Sequence, residues 1–241
     1  SGHATTYRGL VGELVRRGHD VTFLERDQPW YASNRDLPSP PYGTTVLYGS
    51  LEELRDAHAR TVREADLVIV GSYVPQGVPV GDWVQEEAQG VRASYDIDTP
   101  VTLAKLQRGD HEYLHPRQIP GYDLYLSFTG GPTLRRLERE YGAPCARKLY
   151  CSFDPELYFP EPVPLQWDLG YMGTYSDDRQ PGVERFLLRP AHALPQGRFV
   201  IAGPQYPDTA AWPGNVTHQP QLPPAEHRRL YCGQRYTLNV T

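Results

Sequence analysis

The sequence predicts an α/β protein made of two doubly wound, parallel-sheet units, the second of them incomplete. Three observations predict it. Segments of helical periodicity alternate with short apolar runs along most of the 241 residues. Leu67-Val68-Ile69-Val70 is continuously apolar, the pattern of a strand covered on both faces of a parallel sheet. The stretch from Asp154 to Pro164 carries four prolines in eleven residues, and the alternation restarts after it.

Taken in order, Leu10, Val11, Leu14 and Val15 fall at helical spacing, and Arg16-Arg17-Gly18 ends that helix with positive charge and a C-cap. Val21 to Leu24 reads as a strand, and Asp27 to Thr45, rich in Pro, Asp, Asn and Tyr, as a long loop. Leu51 to Ala65 is an amphipathic helix, Leu67 to Val70 a strand, Val80 to Gln89 a short helix and Val91 to Asp98 a strand. Leu124 to Phe128 is a further strand, followed by a helix marked by Leu134, Leu137 and Tyr141, and by a strand over Arg147 to Cys151. Residues 1–153 form the first expected unit, 154–166 a proline-rich linker and 167–241 the second unit. There Leu169 to Gly173 and Phe199 to Gly203 read as strands, Val183 to Leu194 and Ala225 to Tyr231 as helices, and the closing residues as a strand. The chain opens directly on a helical pattern and closes on a strand, so both ends are expected to lie inside a longer protein.

Composition narrows the function. The chain is 39% hydrophobic and 22% charged, an ordinary globular balance, with a formal net charge of -5. No block of Lys and Arg stands out, which argues against a nucleic-acid partner. No apolar run approaches the ~20 residues of a membrane helix. Cys145, Cys151 and Cys232 form neither a CxxC pair nor an even framework, which fits a reduced cytoplasmic setting.

In open parallel sheets ligands bind beyond the carboxyl ends of the strands, so those loops hold the candidates. After the first strand of the second unit comes Gly173-Thr174-Tyr175-Ser176-Asp177-Asp178-Arg179, whose exposed amides, hydroxyls and cation suit a diphosphate. A polar turn with Ser176 or Asp177 as helix cap fits the same residues. Gly203-Pro204 follows the next strand, where glycine admits close approach of a ligand or forms a plain turn. Gly130 and Gly131 precede Pro132 at a helix start, and suit an anion or a tight turn. Asp96 and Asp98 stand at i and i+2 on an expected strand, both on one face. Such a pair can share a proton, hold a divalent cation or deprotonate a sugar hydroxyl, while Asp98 or Thr99 can also cap a helix beginning at Pro100. Gly2-His3 sits in an opening loop, where the imidazole could act as a base.

His111-Glu112-Tyr113-Leu114-His115 spells HExxH, a zinc-protease motif that requires both histidines on one face of a sustained helix. Gly109 before it, Pro116 after it and polar flanks point instead to a short loop helix with two surface histidines. A GxGxxG dinucleotide fingerprint is absent.

The chain resembles the CgeB-like branch of group 1 glycosyltransferases, a branch named after a spore-maturation protein. The resemblance rests on Ser1 to Leu10, Arg17 to Glu25, Tyr95-Asp96-Ile97-Asp98-Thr99-Pro100, Phe128 to Pro132 and Leu169 to Arg179. It implies a GT-B fold of two Rossmann-like domains, the first taking the acceptor and the second a nucleotide-sugar donor. It further implies a donor diphosphate near the loop Gly173 to Arg179, a nucleotide near Gly203-Pro204, and Gly2-His3 facing the cleft between the domains. The first strand of the family's N-terminal domain should precede Ser1, and an acidic donor-binding motif should follow Thr241.

The expected function is therefore glycosyl transfer to an unknown acceptor, with His3, Asp96 and Asp98 as catalytic candidates. Gly2, Gly130, Gly131, Gly173, Thr174, Tyr175, Arg179, Gly203 and Pro204 are the binding candidates, with no resident cofactor or metal. The competing readings are a non-catalytic scaffold of the same fold and a zinc hydrolase using His111 and His115.

Overall fold

A computed structural model describes residues 2–28, 42–208 and 210–240, with side chains from Ala4 onward. The chain divides into two compact units, Ser1–Phe153 and Asp154–Thr241.

The first unit begins with α1 (Gly2–Arg16), β1 (Thr22–Arg26) and β2 (Thr44–Tyr48). Then come α2 (Leu51–Glu64), β3 (Leu67–Gly71), α3 (Gly77–Glu87), β4 (Val91–Asp96) and α4 (Thr99–Gln107). A 3-10 helix (Pro116–Gly121), β5 (Leu124–Ser127), α5 (Pro132–Glu140) and β6 (Ala146–Lys148) complete it. The sheet order is β3-β4-β5-β6, with β1-β2 as a separate two-stranded ribbon, and every pair is parallel. Val68 and Val70 pack on one face with Leu54, Val62 and Trp83 of α2 and α3, a core that also takes Leu24 and Tyr48 from the ribbon. Tyr125 packs on Leu103, Leu106 and Leu137 of α4 and α5. Ser50 starts α2 in the way its side chain dictates: its Oγ accepts from Glu53 N at 3.0 Å, while Glu53 Oε2 accepts from Gly49 N at 2.6 Å.

The second unit holds β7 (Trp167–Met172), a helix over 180–193, β8 (Phe199–Ala202), β9 (Val216–Gln219), α8 (Pro224–Cys232) and β10 (Gln234–Leu238). The 180–193 helix runs as α6 (Gln180–Val183), one π turn (Glu184–Leu188) and α7 (Arg189–Ala193). The sheet order is β10-β7-β8-β9, again all parallel. Side chains alternate faces along a strand. Accordingly Phe199 and Ile201 meet Val183, Leu187 and Ala191 of the 180–193 helix, while Val200 and Ala202 meet Leu230 of α8. Both units are thus Rossmann-like: parallel sheets with helices on both faces.

Two expectations change, and one element is new. Thr44 and Thr45, which read as the end of a loop, begin strand β2 (Thr44–Tyr48), paired residue for residue with β1. Val216 to Gln219, for which no element was expected, is a strand paired with β8. The stretch 111–115 is a bend and not a loop helix. The proline-rich segment is fastened to the second unit. Glu161 Oε2 accepts from Arg228 Nε at 2.6 Å, Phe159 lies under the Arg228 guanidinium at 3.9 Å, and Tyr158 Oη approaches His227 Nδ1 at 3.4 Å.

Candidate active site

Each unit gathers its candidates at the carboxyl ends of its own strands, and each cluster is described in its own frame.

In the first unit, β4 ends at Asp96 and the chain turns into α4 at Thr99, with Pro100 in the first helical turn. The strand is shorter than the spacing implied, so Asp96 and Asp98 do not form a same-face pair. Asp96 is 3% exposed. Its carboxylate accepts from Tyr125 Oη at 2.8 Å, Asp98 N at 3.0 Å and Thr102 Oγ1 at 3.0 Å. Burial raises its pKa above the usual carboxylate value, and those donors oppose the rise.

Asp98 occupies the N-cap position of α4 but makes no capping bond. Its Oδ2 accepts instead from Tyr73 Oη at 2.7 Å. Tyr73 follows β3 and has φ 60°, a left-handed backbone uncommon for an aromatic residue, and Gln76 three residues on has φ 57°. Backbone strain of this kind collects at functional sites. Ser72 ties the two loops: its Oγ donates to Tyr95 O at 3.1 Å and accepts from Ile97 N at 2.8 Å. Tyr7 of α1 supports the same loop, its Oη accepting from Ser72 N at 3.2 Å. Tyr113 stacks edge-on against Tyr73, with ring centroids 5.2 Å apart.

Gly130 and Gly131 follow β5 beside this cluster. Ser127 Oγ lies 2.7 Å from Thr99 Oγ1 and accepts from Thr129 N at 3.0 Å, which binds the glycine loop to the start of α4. Gly131 has φ 67° as N-cap of α5. At Gly130 a Cβ would meet Tyr150 Oη at 2.7 Å. Gly2 and His3 belong to the first turn of α1 and not to an opening loop. The His3 side chain lies outside the described residues.

In the second unit the loops after β7 and β8 are pressed together. Gly203 has φ 150°, and a Cβ there would collide with Gly173 O, so only glycine fits. Gly173 N donates to Ala202 O at 2.9 Å, Tyr175 N to Pro204 O at 3.0 Å and Gly203 N to Gln219 O at 2.9 Å. Thr174 and Pro204 are exposed beside them. Arg179, half-buried, has no ion-pair partner among the described residues. Tyr175 Oη donates to Asp177 Oδ1 at 2.8 Å.

An aromatic group that the motifs did not reveal closes this end of the sheet. The Tyr206 ring lies 5.5 Å from Tyr175, 5.3 Å from Trp212 and 5.1 Å from His218. Tyr206 Oη donates to Gly173 O at 3.4 Å, and His218 Nε2 lies 3.2 Å from Gly203 O, which only an Nε2–H can satisfy. Spacing could not group these rings, because they come from two loops and a strand that only the sheet brings together.

His111 and His115 have ring centroids 4.3 Å apart, but His115 Nδ1 accepts from Arg117 N as cap of the 3-10 helix. Without a helix the HExxH geometry is not formed. No group of three or more potential metal ligands occurs among the described residues.

Comparison with known proteins agrees with this architecture. Residues 179–241 match the family model described as "Glycosyl transferase-like". No curated protein matches the chain. The crystal structure of the glycotransferase of kitacinnamycin is 14% identical with a TM-score of 0.50, over 91% of this chain and 68% of that one. An alpha-glucosyltransferase in complex with UDP and a 13-mer DNA is 12% identical with a TM-score of 0.61, over 98% and 68%. Arabidopsis thaliana UGT89C1 complexed with UDP-L-rhamnose is 14% identical with a TM-score of 0.51, over 91% and 67%. The fold is that of the GT-B glycosyltransferases. Among the described residues no helix is long and apolar enough to cross a membrane.

Proposed function

We propose that the protein transfers a glycosyl group from a nucleotide-sugar donor to an acceptor hydroxyl. The observation that carries this reading is the paired loop of the second unit. Gly203 lets the β8 loop meet the β7 loop at Gly173, beside the uncommitted cation of Arg179, at the carboxyl end of a parallel sheet. The match of residues 179–241 to a glycosyl transferase-like family supports it. So does the presence of UDP or a UDP-sugar in two of the solved structures that share the fold.

In this reading the donor diphosphate lies against the loop amides and Arg179. The acceptor oxygen bonds to the anomeric carbon, the bond from that carbon to the diphosphate oxygen breaks, and the acceptor's proton passes to a general base, the role for which Asp98 is the first unit's candidate. The leaving nucleoside diphosphate carries the displaced electron pair, and Arg179 stabilises its charge. Asp96 supports Asp98 through the backbone amide and takes no proton from the acceptor. Within the superfamily we assign the chain to the CgeB-like branch on its Tyr95-to-Pro100 and Leu169-to-Arg179 segments, and to the cytosol on its three free cysteines.

The test is a panel of UDP-, GDP- and dTDP-sugars with the full-length protein, scored by release of the nucleoside diphosphate and by direct binding. Turnover or saturable binding with one donor, weakened by Arg179→Ala, is expected. Silence across the panel would overturn the assignment.

A further inference from the structure

A second place in the first unit is built to receive a ligand, between two helices. Helices α4 and α5 lie side by side over β5, held there by Leu103, Leu106 and Leu137 on Tyr125. Between them runs an open groove of about 500 Å³, the size of a small-molecule site. Its α4 wall is apolar where Pro100 and Ala104 line it, and Pro132 continues that surface onto α5. The rest of the α5 wall presents Arg135, Arg136 and Arg139.

The charges in this groove do not cancel. Arg136 Nε bonds Glu140 Oε2 at 2.8 Å, which accounts for one cation and the one acid in the lining. Arg135 and Arg139 are exposed, and neither has a carboxylate partner among the described residues. They stand four residues apart, one helical turn, where like charges repel by a few tenths of a kcal/mol. Glu138, the nearest other acid on α5, is engaged with Ala146 N and Arg147. The facing helix α4, Thr99–Gln107, contains no acid at all.

Two guanidinium groups one turn apart suit a phosphoryl group, whose oxygens accept forked N–H donors. The apolar wall beside them suits a hydrocarbon substituent. We propose that this groove binds a phosphate ester carrying an apolar chain, with Arg135 and Arg139 on the phosphoryl oxygens and the chain along Pro100, Ala104 and Pro132. The inference is independent of the transferase reading, because it uses none of the residues assigned to donor or acceptor.

Titration calorimetry of the full-length protein with n-octyl phosphate, inorganic phosphate and n-octanol tests it. Octyl phosphate is expected to bind saturably and at least tenfold more tightly than either fragment. The double variant Arg135→Gln/Arg139→Gln is expected to weaken that binding by about tenfold or more. Arg179→Ala serves as the control for phosphate captured by the loops of the second unit, and is expected to change nothing. Unchanged affinity in the double variant, loss of binding in Arg179→Ala, equal affinity for inorganic phosphate, or no saturable binding would each overturn the proposal. Sedimentation with phosphatidylglycerol vesicles that octyl phosphate does not compete away would overturn it too, by assigning the arginines to a membrane surface. Both substituted side chains are exposed, and an unchanged melting temperature verifies that the double variant is folded.

Discussion

Tyr73 donates a 2.7 Å hydrogen bond to Asp98, 25 residues away in the chain, and does so from a left-handed backbone at φ 60°. The bond draws the carboxylate away from the helix it would otherwise cap. If Asp98 is the base, Tyr73 is its positioning residue. Asp98→Asn is expected to lower kcat by about a hundredfold or more, within the range of general-base catalysis, with donor affinity unchanged. Tyr73→Phe keeps the ring against Tyr113 and removes only the hydroxyl. It should lower kcat by about tenfold with the donor KM unchanged, a split that a purely structural role would not produce.

Gly203→Ala probes the second unit. A methyl group there meets the carbonyl oxygen of Gly173, and the backbone cannot yield without parting the two loops. A melting-temperature loss corresponding to about 2 kcal/mol or more is expected, together with loss of donor binding by calorimetry. Gly131→Ala separates strain from collision: its added Cβ has nothing within 4 Å, so only its φ of 67° opposes the change and a smaller loss is expected.

Asp96 is a test of support without chemistry. Asp96→Ala strands the buried Tyr125 Oη and leaves the half-buried Thr102 Oγ1 without its acceptor, and should cost about 3 kcal/mol in urea unfolding. Asp96→Asn should cost less, and the difference from the parent has a sign. Burial raises the Asp96 pKa, so its contribution is fully present below the ordinary carboxylate value and declines as pH rises through the raised one. Asparagine does not titrate, so the gap between Asp96→Asn and the parent narrows as pH rises from 4 toward neutrality.

Tyr7 makes the corresponding prediction in alkali. Burial raises its phenol pKa to about 12, against hydrogen bonding with Ser72 that lowers it. An unfolded tyrosine ionises near ~10. The contribution of Tyr7 is therefore complete below about pH 10 and lost as pH rises to 12, a change of about 2 to 3 kcal/mol. Tyr7→Phe should be the less stable protein at pH 9, and the difference should shrink across that window in denaturant melts followed by circular dichroism.

What the sequence reveals depends on how local each signal is. Phe199 to Ala202 is apolar throughout because both of its faces are buried, and it reads correctly from composition alone. Leu67 to Val70 is also a strand, but it lies at the sheet edge with Leu67 44% exposed, so its apolar run does not mean burial on both faces. Val216-Thr217-His218-Gln219 buries only Val216 fully, at the sheet edge, so it carries no continuous apolar run by which to read it as a strand. The Asp96/Asp98 segment was legible as a place, since it ends a strand. The division of labour within it was not, because it is set by Tyr125 of β5 and by Tyr73 in the loop after β3. HExxH misleads for the converse reason: the letters are adjacent, but Gly109 and Pro116 deny them a helix.

Strand β8 is sealed on both faces and paired on both edges, and its four residues are each 2% exposed or less. No fraying end or passing loop motion can bring water to its amides. Their exchange with deuterium must wait for the opening of the whole second unit. The protection of Val200 and Ile201 is thus an internal gauge of that unit's own stability, readable in the intact chain without cutting it in two.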